Sequence, residues 1–91
     1  MILVAQERES AIDTQYIYYY YVDYSNMYHG VVWKVMASYN LDHKADDGIG
    51  CFDSCEKAII VLGEIAEAIA NGDKIYYVPN DGDVKIEGAD K

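Results

Sequence analysis

The chain has 91 residues, enough for one domain and too few for separate cofactor and substrate domains. A hydrophobic fraction of 52% argues against disorder, and sixteen acids against seven bases leave a net charge of −9. That balance argues against direct nucleic-acid binding, which needs bases to neutralise phosphates, and against adhesion to an anionic membrane.

In chain order, residues 2–6 read as a short strand entering the charged stretch Glu7-Arg8-Glu9, with a turn over Ser10–Thr14. Gln15–Tyr24 is the least ambiguous strand, because nearly every residue is aromatic or β-branched. Ser25–Gly30 reads as a hairpin loop. Val31–Tyr39 alternates, with Val31, Trp33, Val35, Ala37 and Tyr39 on one face. Asn40–Phe52 reads as a polar loop with an acidic centre.

A helix follows, with Asp53 as its expected N-cap, Glu56 completing a capping box, and Asn71-Gly72 as its stop. Ala58, Leu62, Ile65 and Ile69 make its expected apolar stripe, widened by Cys55, Val61 and Ala66. Ile60 falls on the opposite, acidic side between Glu64 and Glu67. An apolar centre with a polar rim is how a small contact site looks. Lys74–Val78 is a further strand, Pro79–Gly82 a turn, and Val84 and Ile86 a short fifth strand. The order β-β-β-α-β-β predicts an α+β fold, a mainly antiparallel sheet with one amphipathic helix across one face.

The ten tyrosines concentrate in the strand at 15–24. Tyr16, Tyr18, Tyr20, Val22 and Tyr24 share one face; Ile17, Tyr19, Tyr21 and Asp23 share the other. One helix covers one face, so the second row must meet solvent, another layer or a partner. Tyrosine suits a partly wet interface, since its ring packs while its hydroxyl stays hydrogen-bonded. Stacked tyrosines also suit single-stranded nucleic-acid platforms, but those need electropositive grooves that this charge does not provide.

The acids form a second pattern. Asp42, Asp46, Asp47, Asp53 and Glu56 cluster before and at the helix start, and Glu64, Glu67 and Asp73 follow along it. Asp81, Asp83, Glu87 and Asp90 occupy the end of the chain. Helix termini, turns and solubility explain individual placements, yet Lys57 is the lone base between residues 45 and 73. A continuous negative surface attracts basic clefts and speeds association with them.

No metal or cofactor is expected. Asp42-x-Lys44-x-Asp46-Asp47 fails the calcium-loop pattern, and Cys51-x3-Cys55 with His29 or His43 matches no common zinc spacing. No nucleophile elbow, phosphate loop or metalloprotease motif occurs, so an enzyme is not expected. The N-terminus lacks the basic region of a signal peptide, no segment approaches a membrane span, and two cysteines make no disulfide framework. A cytoplasmic protein is therefore expected.

In size, charge and aromatic content the chain resembles small acidic phage-encoded anti-CRISPR and DNA-mimic proteins, and acidic immunity proteins that neutralise toxins. The resemblance implies a non-enzymatic inhibitor of a protein with a basic cleft, such as a nuclease or CRISPR effector, without direct contact to nucleic acid. Asp42, Asp46, Asp47, Glu64 and Glu67 are the candidate electrostatic contacts, and Ile60, Tyr18, Tyr20 and Tyr28 the apolar and aromatic ones. The alternative is a homo-oligomeric structural domain, for instance a homodimer, that buries a tyrosine face against itself. A small-molecule or metal-binding module comes third.

Overall fold

The computed structural model describes residues 1–28, 30–40 and 46–86. The chain is α+β, as its patterning indicates, but its described residues build two three-stranded sheets rather than one. In the larger sheet, β3 (Tyr19–Met27), β4 (Gly30–Ser38) and β5 (Asp47–Phe52) run antiparallel in sequence order. In the smaller sheet, β1 (Ile2–Val4) lies between β2 (Ala11–Asp13), antiparallel to it, and β6 (Ile75–Tyr77), parallel to it. The helix α1 (Cys55–Ala70) packs on the β3-β4-β5 sheet.

Several segments differ from the expectation, each for a local reason. The tyrosine strand starts at Tyr19, because residues 14–16 form a 3-10 turn capped by the Asp13 side chain. It runs on to Met27, so the hairpin loop is shorter than Ser25–Gly30, with Gly30 at φ 129 on its far side. The supposed polar loop contains β5, whose glycines hide it. A Cβ on Gly50 would stand 2.9 Å from Val78 Cγ1 and 3.0 Å from Phe52 Cε2, so the strand needs a residue without one. Val35 pairs with Gly50 and Met36 with Gly48, leaving Ile49 as the bulged residue, 1% exposed in the core. The expected fifth strand at Val84 and Ile86 does not form. Asp81–Asp83 make a 3-10 turn that drops Val84 into the core instead.

The helix begins one residue later than expected. Ser54, not Asp53, is the N-cap, its hydroxyl accepting from the Lys57 amide at 3.3 Å. Asp53 instead accepts from Lys57 Nζ at 3.2 Å, and Lys57 also meets Asp81 at 3.4 Å. The buried stripe is Ala58, Val61, Ile65 and Ala68, rotated from the expected one, so that Ile69 is 43% exposed.

The core gathers Leu3, Val35, Ile49, Phe52, Val61, Ile65 and Val78 from both sheets and the helix. Gln6 joins the sheets: its side-chain amide donates to the Cys51 and Pro79 carbonyls at 3.0 and 3.1 Å and its carbonyl accepts from the Cys51 amide at 2.9 Å. Its backbone N–H adds a bond to the Ile49 carbonyl. No helix among the described residues is long and apolar enough to cross a membrane.

Candidate partner-binding surface

Cross-strand register decides which tyrosine row is used by the core. Tyr20 pairs with Ala37 and Val22 with Val35, and these rows share the face under the helix. Tyr20, a candidate aromatic contact, therefore packs against the core. Its hydroxyl is buried with no hydrogen-bond partner among the described residues, and burial raises its pKa. Tyr19, Tyr21 and Asp23 take the opposite face, pairing with Ser38, Met36 and Lys34. Tyr18 is 63% exposed, its ring edge-on to Tyr19 at 6.0 Å, and Tyr28 stands fully exposed at the hairpin tip. Ile60 is likewise partly buried against the core, so the exposed isoleucines of the helix are Ile59 and Ile69.

Among the acids, Asp42 lies outside the described residues, as do Glu87 and Asp90. Three of the other four candidates each accept a hydrogen bond from a tyrosine. Tyr21 donates to Asp46, Tyr39 to Asp47 at 2.8 Å, and Tyr76 to Glu64 at 2.7 Å. The bonds leave their mark on the phenols. Hydrogen bonding to Asp46, then burial, pushes Tyr21 up to about 12; burial, then the Asp47 bond, pushes Tyr39 up to about 12. Burial and the Glu64 bond also raise Tyr76.

A tyrosine hydroxyl holds a carboxylate in place without cancelling its charge, whereas a lysine or arginine does both. Among the described residues, the ion pairs are those of Lys57 with Asp53 and Asp81. Asp47 and Glu64 thus present oriented charges that no described base neutralises. The fourth candidate, Glu67, joins Glu64, Asp73 and Tyr76 around an open groove of about 250 Å³ where the helix C-terminus meets β6.

Sequence reasoning missed the hydroxyl donors Tyr39 and Tyr76 and the groove residue Asp73. These partners lie 8 or 12 positions apart in different elements, so no local spacing announces them. Among the described residues, no group of three His, Cys, Asp or Glu side chains is arranged to hold a metal ion. Cys51 and Cys55 are both free thiols. The chain matches no family model, no curated protein and no solved structure.

Proposed function

We propose that the chain is a non-enzymatic inhibitor that occupies the nucleic-acid-handling surface of a partner protein, acting against a nuclease or a CRISPR-type defence effector. The observation that carries this reading is the fixing of Asp47 and Glu64 by tyrosine hydroxyls that leave their charge in place. Carboxylates held at set positions imitate a phosphate row better than mobile ones, because less side-chain freedom is lost on binding. Tyr18 and Tyr28 supply exposed aromatic surface for the desolvated part of such an interface.

The test is capture of purified nuclease and defence complexes on tagged protein at low and high salt. Retention of a nucleic-acid-binding effector, released by salt or by its own DNA or RNA, is the expected result. Binding that ignores salt and nucleic acid would refute the electrostatic mechanism.

One observation favours a second reading, a self-associating domain. The hairpin end presents Tyr24, Met27, Tyr28 and Val31, all exposed and uncharged. Sedimentation over a wide concentration range separates the two, since a persistent monomer excludes self-assembly.

A further inference from the structure

The outer side of α1 is apolar where a surface helix of a single domain is ordinarily polar. Ile59 is 55% exposed and Ile69 43% exposed, and Gly63, Ala66 and Ala70 are exposed with them. At the helical repeat, Ile59, Gly63, Ala66 and Ala70 fall within about 60° of arc, facing away from the buried stripe. The fold does not require glycine at 63: nothing lies within 4 Å of where its Cβ would stand. A second helix lying close across this face would require a small residue there.

Charge indicates what covers it. Glu56 and Glu67 border the apolar strip on one side, and beyond them lies the groove lined by Glu64, Glu67 and Asp73. The helix's one base, Lys57, is engaged by Asp53 and Asp81. A second copy packed helix on helix would bring Glu56 and Glu67 towards their equivalents, and its α1 would supply no free base to meet them. A basic helix meets both features: small and apolar residues on the strip, and lysine or arginine side chains against Glu56, Glu67 and the groove.

We infer that the outer face of α1, centred on Gly63, is the docking site for an amphipathic helix of the partner that flanks an apolar stripe with lysine or arginine. This rests on the inhibitor reading and specifies the partner element that reading leaves open. The strip from Ile59 to Ala70 is about 16 Å long, which matches about three turns of a partner helix.

The experiment is an amide NMR titration of the full chain at low and high salt. One probe is a helical peptide with a leucine-alanine stripe flanked by lysines, and the other is its scrambled, equally charged counterpart. The striped peptide is expected to shift Ile59, Gly63, Ala66 and Ala70 most, with Glu67 and Asp73 moving alongside. Gly63→Trp, whose side chain projects into open space, is expected to weaken binding by about tenfold. Ile59→Gln gives an independent check on the same exposed face.

Equal binding of the striped and scrambled peptides, or unchanged binding by both variants, would overturn the docking site while leaving the acidic inhibitor reading intact. Shifts of this face with protein concentration alone would overturn it in favour of a second copy. Failure of both peptides to bind at low salt would count against the docking site and the electrostatic reading together.

Discussion

Tyr76 on β6 donates a 2.7 Å hydrogen bond to Glu64 on α1, joining the small sheet to the exposed side of the helix. The bond sets the position of a carboxylate at the rim of the acidic groove. Tyr76→Phe keeps the ring and the net charge but removes the donor. It is expected to lower stability by about 1 kcal/mol in urea melts. It should also weaken partner capture although the total charge is unchanged, a result that mere charge attraction does not predict.

Tyr20 is the converse case. Its ring is packed against the core and its hydroxyl is buried without a partner among the described residues. An unsatisfied buried hydroxyl is destabilising, so Tyr20→Phe is expected to stabilise the fold by about 1 kcal/mol. A lower urea midpoint for this variant would show that the hydroxyl is satisfied in solution.

Alkaline pH should unfold the protein through the other tyrosines. Tyr21 and Tyr39 are both pushed up to about 12 from an ordinary value of 10.0. A group whose pKa is higher when folded binds its proton more tightly in the native state. Its contribution is fully present below pH 10 and is lost as pH rises towards 12. Thermal midpoints are therefore expected to fall across that window, in step with the ultraviolet absorbance of tyrosinate. Tyr21→Phe and Tyr39→Phe together should flatten the fall.

Two glycines are expected to respond to alanine in opposite directions. Gly63 sits in mid-helix with open space around it, so Gly63→Ala should stabilise by about 0.5–1 kcal/mol through helix propensity. A Cβ added at Gly50 would stand 2.9 Å from Val78 Cγ1, too close for a well-packed core. Gly50→Ala should therefore destabilise by about 1–3 kcal/mol. Chemical denaturation of both variants checks the pair.

Periodic segments were legible in the sequence because their patterns come from local geometry. The alternation of Val31, Trp33, Val35 and Ala37 places β4, and the spacing of Ala58, Leu62, Ile65 and Ile69 indicates α1, although the buried stripe is Ala58, Val61, Ile65 and Ala68. β5 was not legible, since Gly48 and Gly50 carry no side-chain pattern, and Gly50 is there to let Val78 and Phe52 approach. The parallel pairing of β1 with β6 was equally hidden: its register joins residues more than 70 positions apart, beyond any local signal.

The candidate surface divides along the same line. The excess of acids over bases and the concentration of tyrosine follow from composition, and with them the expectation of a basic partner. Tertiary structure alone turns Tyr20 inward, leaves Tyr18 and Tyr28 outward, and sets Tyr39 and Tyr76 against Asp47 and Glu64. Charge is a sum over residues and survives any rearrangement of the chain. A hydrogen bond between a strand and a distant helix exists only once the core has set the distance between them.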